Sequence, residues 1–189
     1  ATAANLGRLA RAGAAHFVGR GDGGGAACVI GGGPSCGGFD RIPAGVLTLT
    51  VNTAAPRVCA EIAPDVLVIR EVVPAVRELA ALPHAPKCIV LDICACPATV
   101  ERALDVAPVL WALPAQALLG WLSRLLEQEP VYGGESAMNM AVALATRFGC
   151  TSQTLMGCDL AFGRGGEAYG DGTAWSGCRV DVRDGAVDF

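Results

Sequence analysis

The chain has few aromatic residues, few histidines and almost no lysine. Aromatics make up 5% of 189 residues, two residues are histidine, and Lys87 is the only lysine. So few aromatic rings leave no stacking platform for single-stranded nucleic acid. A formal charge of −4 with no Lys/Arg cluster excludes the electrostatic footprint of a nucleic-acid or anionic-membrane binder. No apolar run reaches the length of a membrane span, and none near the start has the form of a secretory signal. His16 lies on an expected helix with no sequence partner. His84 sits in a Pro-His-Ala-Pro loop ahead of its strand, the wrong end for a strand-end site. With neither histidine placed for acid–base work, no Ser/His/Asp or Cys/His arrangement can be assembled.

What the chain does have is apolar residues, glycine and cysteine. A hydrophobic share of 52% over this length supports a single domain with a sizeable core. Of the nine cysteines, Cys28, Cys59, Cys88, Cys94, Cys150 and Cys158 lie in or beside apolar segments, where a free thiol behaves as a small hydrophobe. An odd count without a paired framework points to a reducing, cytoplasmic setting. Cys94-Ala95-Cys96 has neither a second cysteine pair nor a nearby histidine, so no metal site is expected.

Runs without polar alternation recur along the chain and read as buried parallel strands. They are 26–30, 46–51, 66–69, 88–93, 109–113 and a last core strand over 154–160. Helical patterns stand between them at 54–62, 73–82, 98–106, 115–127 and 137–148, the last ended by Gly149. Residues 5–18 read as an N-terminal helix with Asn5 as its N-cap, followed by a glycine-rich connection to residue 25. Residues 163–177 read as a long loop, and 179–189 as a hairpin across Asp184-Gly185. The expected architecture is α/β: a Rossmann-like three-layer sandwich with a mostly parallel sheet and a C-terminal β-hairpin. Residues 1–25 form a helix and linker, and 26–189 the single main domain.

In such a sheet the ligand lies beyond the carboxyl ends of the strands. That rule gathers Gly31, Gly32, Gly33 and Ser35 after the first strand, Asn52 after the second, Arg70-Glu71 after the third and Asp159 after the last. The helix opening at Gly133-Gly134-Glu135-Ser136 would present its N-terminal dipole to the same edge. A glycine turn after a strand lets backbone N–H groups approach an anion, and Ser35 adds a hydroxyl. The turn matches neither GxGxxG nor a Walker A loop. The expected phosphate-binding set is Gly31, Gly32, Gly33, Ser35, Asn52, Arg70, Gly133, Gly134 and Ser136. Asp159 and Glu135 are the candidate catalytic carboxylates among Glu71, Glu135, Asp159, Glu167 and Asp171. The alternative readings are a plain turn at 31–35, a plain loop at Gly133-Gly134, and a turn-satisfying role for Asn52.

Five segments occur in the order of one family: Cys28-Val29-Ile30-Gly31-Gly32-Gly33-Pro34-Ser35, Val51-Asn52-Thr53-Ala54, Pro64-Asp65, Gly133-Gly134-Glu135-Ser136-Ala137 and Met156-Gly157-Cys158-Asp159-Leu160-Ala161-Phe162. Over residues 26–175 the chain resembles the MptE-like/Maf family of archaeal 6-hydroxymethylpterin diphosphokinases and bacterial motility accessory factors that glycosylate flagellin. The resemblance implies a core related to bacterial sialyltransferases that use CMP-sugars. Gly31–Ser35 and Asn52 would meet the nucleotide phosphates, and Gly133, Gly134, Ser136 and Asp159 would complete the pocket. Two departures stand out. Ile69-Arg70-Glu71 replaces an Asp suited to a metal–phosphate site, and Tyr169–Trp175 lacks a Thr-His pair. Three functions follow as expectations. The first is transfer of a nonulosonic sugar from a CMP-sugar to a flagellar or surface acceptor, without a metal. The second is ATP-dependent pterin diphosphokinase activity, which would need Mg²⁺. The third is a non-catalytic nucleotide-binding module.

Overall fold

The computed structural model describes every residue except Ala1, 13–16, Asp22, Gly23, 72–74, Ala81, Glu135, Asp184, Gly185 and Phe189. Five apolar runs form strands close to where their sequence places them: β1 (Gly25–Ile30), β2 (Leu47–Val51), β3 (Val66–Ile69), β4 (Cys88–Asp92) and β5 (Val109–Ala112). A sixth strand, β6 (Cys150–Met156), lies beside β1. The sheet order is β5-β4-β3-β2-β1-β6, and every neighbouring pair is parallel.

Alternation along the strands explains the three layers. On one face Val66, Val68 and Val90 pack with Met140, Ala141, Leu144 and Ala145 of helix α6 (Ala137–Arg147). On the other face Leu67, Ile69, Ile89 and Leu91 meet Leu79 of α3 (Val76–Ala80) and Val100 and Ala103 of α4 (Pro97–Val106). Full burial of a Leu or Ile side chain stabilises by about 1.5–3 kcal/mol, so a strand apolar on both faces has to be covered on both. The α/β sandwich expected from the sequence is the fold observed.

Several local expectations are corrected. The last strand spans 150–156, not 154–160, and is an edge strand whose Thr151, Ser152, Thr154 and Leu155 are exposed. An edge strand needs only one covered flank, so Cys-Thr-Ser-Gln-Thr showed no apolar run to mark it. The described part of helix α1 is Thr2–Ala12, and residues 17 and 18 lie outside the expected helix. Phe17 bridges to Trp111 instead, and the Val18 N–H donates to the Trp111 carbonyl, extending the sheet at β5. Asn5 is not a cap. It is fully buried within α1, and its Nδ2 donates to the carbonyls of Ile93 and Ala95 at 2.8 and 2.9 Å.

The expected helix over 54–62 shrinks to a 3-10 turn and α2 (Ala55–Val58), and that over 115–127 to a 3-10 turn and α5 (Gly120–Leu125). At the C-terminus β7 (Asp181–Arg183) and β8 (Ala186–Asp188) pair antiparallel as a separate ribbon. Its expected Asp184-Gly185 turn lies outside the described residues, as does His16. All nine cysteines are free, and among the described residues no helix is long and apolar enough to cross a membrane.

The Pro64-Asp65 segment works at the amino ends of the strands. The Asp65 carboxylate accepts from the Thr48 N–H and hydroxyl, both at 2.8 Å, and from Lys87 Nζ at 2.6 Å. It thereby ties the starts of β2, β3 and β4 together. Burial pushes the Asp65 carboxyl up, but the bonds from Lys87 and Thr48 outweigh it and hold the group below its ordinary value.

Candidate functional site

Chain order fixes where the fold opens. From β1 to β5 each strand steps the same way across the sheet, and then α6 carries the chain back over it to place β6 on the far side of β1. A crevice forms at this switch point, between the segments that follow β1 and β6 and the start of α6. A cleft of about 430 Å³ lies there. Its floor is Gly31–Gly33, Asn52 and Thr53, one wall is Ser136–Met138 at the start of α6, and the other runs from Gly157 to Phe162, with Tyr169 beside it.

The glycines let two loops touch. A side-chain carbon on Gly31 would sit 2.5 Å from the Gly157 carbonyl oxygen. Gly157 has φ +61°, and a carbon on it would lie 2.3 Å from the Gly31 oxygen. The two loops are then stitched by backbone bonds. The Gly31 N–H donates to Met156 O and the Gly33 N–H to Gly157 O, both at 2.8 Å, while Gly170 N–H reaches back to Gly32 O at 3.0 Å. The Ser35 N–H donates to Asp159 Oδ2 at 2.9 Å. Pro34 has no N–H. Among the described residues the Gly32 N–H alone of this turn has no partner.

The helix wall adds further donors. Ser136 caps α6 by accepting from Asn139 N–H at 3.1 Å, and among the described residues the N–H groups of Ala137 and Met138 at the helix opening have no partner. Charge in the cleft is negative. Glu71 and Asp159 line it, and no described Lys or Arg does. Asn52, only 2% exposed, donates from Nδ2 to Glu71 Oε1 at 3.3 Å. Cys158 also lines the cleft, but burial pushes its thiol up, so a thiolate nucleophile is disfavoured there.

The expected residues therefore divide. Gly31, Gly32, Gly33, Asn52, Ser136 and Asp159 come together around the cleft. Ser35 contributes by holding Asp159. Glu135 lies outside the described residues. Arg70, Gly133 and Gly134 do not line the cleft. The Arg70 side chain is 7% exposed and pairs through Nε with Asp92 Oδ2 at 3.1 Å, and its Nη1 donates to the Gly134 carbonyl. Asp92, 2% exposed, also accepts from Cys94 N–H at 2.8 Å. Burial pushes its carboxyl up against those bonds. Gly133 is there because a side-chain carbon would lie 2.6 Å from Met140 Cα, so the chain can lie close against α6.

Thr53, Met138, Leu160, Phe162 and Tyr169 line the cleft without having been expected as site residues. Leu160 is fully exposed at φ +49°, an uncommon backbone state for a branched aliphatic. The signal that could have found this group was Gly157, a second glycine just past a strand.

A second cavity, about 460 Å³, lies beside the C-terminus of α6, among Arg20, Glu129, Tyr132 and Arg147. Its two arginines are already engaged with Glu129, and Arg147 also donates to the carbonyls of Val18 and Pro130. Among the described residues no strand carboxyl end lines it.

The fold and cleft thus define the class: a parallel α/β sandwich with an open switch-point crevice lined by backbone amides and carboxylates. Comparison with family models, curated proteins and solved structures finds no match for this chain.

Proposed function

We propose that the cleft receives the phosphate of a nucleotide, and that the chain is a transferase moving a nonulosonic sugar from a CMP-sugar to a flagellar or other surface acceptor in the cytoplasm. The observation that carries this reading is the meeting of the glycine turn and the opening of α6 at the β1/β6 switch point. The Gly32 N–H, the Thr53 hydroxyl and the N–H groups of Ala137 and Met138 are the groups available to an anion. They would stabilise negative charge on a departing nucleotide phosphate without reorganising. Leu160, Phe162, Met138 and Tyr169 supply apolar surface for a base or sugar ring.

A CMP-sugar, with one phosphodiester charge and the sugar's carboxylate, suits these donors better than the more highly charged triphosphate does, because the lining carries two carboxylates and no described basic side chain. Pterin diphosphokinase activity is therefore the second reading. It leans on Mg²⁺ held by carboxylates, and Arg70, which stands where the family the sequence resembles carries an Asp, is committed to Asp92. A binding module without chemistry is the third reading, favoured by the N–H groups of Gly31 and Gly33 being already bonded.

A thermal-shift panel of CMP, CDP, ATP and GTP, with and without Mg²⁺, tests the order. The proposal expects CMP to raise the melting midpoint without metal. A shift seen only with ATP and Mg²⁺ would favour the kinase reading, and no shift with any nucleotide would contradict nucleotide binding altogether.

A further inference from the structure

One buried carboxylate plays no part in the cleft. Glu78, on α3, is 8% exposed, and a glutamate is almost never buried to that degree without a partner. Among the described residues its carboxylate meets no hydrogen-bond donor and no basic side chain. Two arginines on neighbouring helices are committed elsewhere. Arg57 pairs with Glu61 at 2.8 Å and stands 5.8 Å over the Phe39 ring, while Arg102 donates to the Ala80 carbonyl at 3.2 Å. Glu78 lines a pocket of about 280 Å³ together with Pro56, Ala174, Trp175, Ser176 and Cys178. We infer that this pocket binds a primary alkylammonium group, with Glu78 as its counter-ion and Trp175 as an aromatic wall.

A carboxylate drawn out of water without a partner gives up hydration that nothing in the fold returns. An ammonium brings both the opposite charge and three N–H donors, and its hydrogen bonds to a carboxylate are the strong, charge-assisted kind. Trp175 is 49% exposed at the pocket, and an indole face is the best side-chain surface for a cation. A single carboxylate makes a poor divalent-metal site, so an organic cation fits the lining better. The outer wall is held in place. The Ala174 N–H donates to the Thr53 carbonyl at 2.9 Å, Ser176 N–H to Thr173 O at 3.1 Å and Cys178 N–H to Trp175 O at 3.0 Å. The same segment lines the cleft with Ala168 and Tyr169 before it crosses Thr53. The amine pocket is nonetheless separate from the cleft and does not depend on a nucleotide binding there.

The test is NMR titration of the full chain, read at the Trp175 indole N–H and the amides of residues 174–178. The probes are n-butylammonium, its neutral counterpart n-butanol, and Nα-acetyl-lysine N-methylamide, all at constant ionic strength. Butylammonium should bind at least about tenfold tighter than butanol, the size of a charge-assisted hydrogen bond. Glu78→Gln should erase that advantage, and Trp175→Ala should weaken the ammonium by about two- to fivefold. Without ligand, Glu78→Gln should melt higher than the parent, because it removes a buried charge that has no partner. Tighter binding of the lysine derivative than of butylammonium would assign the group to a peptide side chain, and the reverse to a free amine; either supports the pocket. Equal binding of butanol, undiminished ammonium binding in Glu78→Gln, or a lower melting midpoint in that variant would overturn it. A failure of CMP to bind the cleft would leave these outcomes as they stand.

Discussion

Two pairs of strand ends in this sheet meet opposite fates. At the ends of β3 and β4, polar residues follow apolar runs, and the resulting Arg70 and Asp92 turn inward, bury and pair. At the ends of β1 and β6, Gly31–Ser35 and Gly157–Asp159 follow strands in the same way, yet their polar groups face an open cleft. The difference is topological. The strands β3 and β4 are neighbours, and the Arg70–Asp92 pair closes across their ends. At β1 and β6 the strand order reverses, and the start of α6 and the 157–162 segment stand around an open cleft there.

The largest effect should come from breaking the closed end. Asp92→Ala leaves the Arg70 guanidinium buried without its carboxylate, and should cost about 3–5 kcal/mol in chemical denaturation. A loss under about 1 kcal/mol would mean that this end is not closed as described.

Next comes the seam at the open end. Gly31→Ala drives a carbon against the Gly157 backbone and should cost about 1–3 kcal/mol. It should also abolish any CMP-induced thermal shift, because the two loops cannot both keep their places.

A smaller effect is expected at the opposite end of the strands. Asp65→Asn removes the charge that accepts from Thr48 and Lys87, and should cost about 1–2 kcal/mol near neutral pH. The folded-state carboxyl is held below its ordinary value, so its contribution is present above the unfolded value of about 3.9 and is lost as pH falls through the lower folded value. Stability measured against pH should accordingly show a shallower acid limb in Asp65→Asn than in the unaltered chain. Parallel limbs would contradict the assignment.

The smallest effect sharpens the contrast. Asp159→Asn keeps an acceptor for Ser35 and removes an exposed charge, so its unfolding midpoint should stay within about 0.5 kcal/mol of the parent. Two strand-end aspartates would then differ several-fold in structural weight, and the light one is the one at the cleft.

How much of this was legible in the sequence depended on burial. Val66–Ile69 and Cys88–Asp92 are covered on both faces, so their unbroken apolar runs marked them directly. The polar edge strand β6 was hidden because water satisfies one of its flanks, and that moved the last strand by several residues. The cleft's glycines and Asn52 were legible from strand-end position alone. The partner of Arg70 was not, since Asp92 stands 22 residues away and only the β3–β4 register brings the two side chains together. Nor could the sequence tell that Gly133 and Gly134 serve packing on α6 and a carbonyl for Arg70, because a glycine needed for close approach looks the same as one that frees an amide.

The central claim is that the open end, and not the closed one, receives a nucleotide phosphate. Amide chemical-shift mapping with CMP tests it most directly. The account predicts perturbations gathered at Gly32, Asn52, Thr53, Ala137 and Met138, with the amides around Arg70 and Asp92 and those of the Arg20–Arg147 cavity unmoved. Perturbations centred on that cavity or on the Arg70–Asp92 pair, or none at saturating CMP, would contradict it.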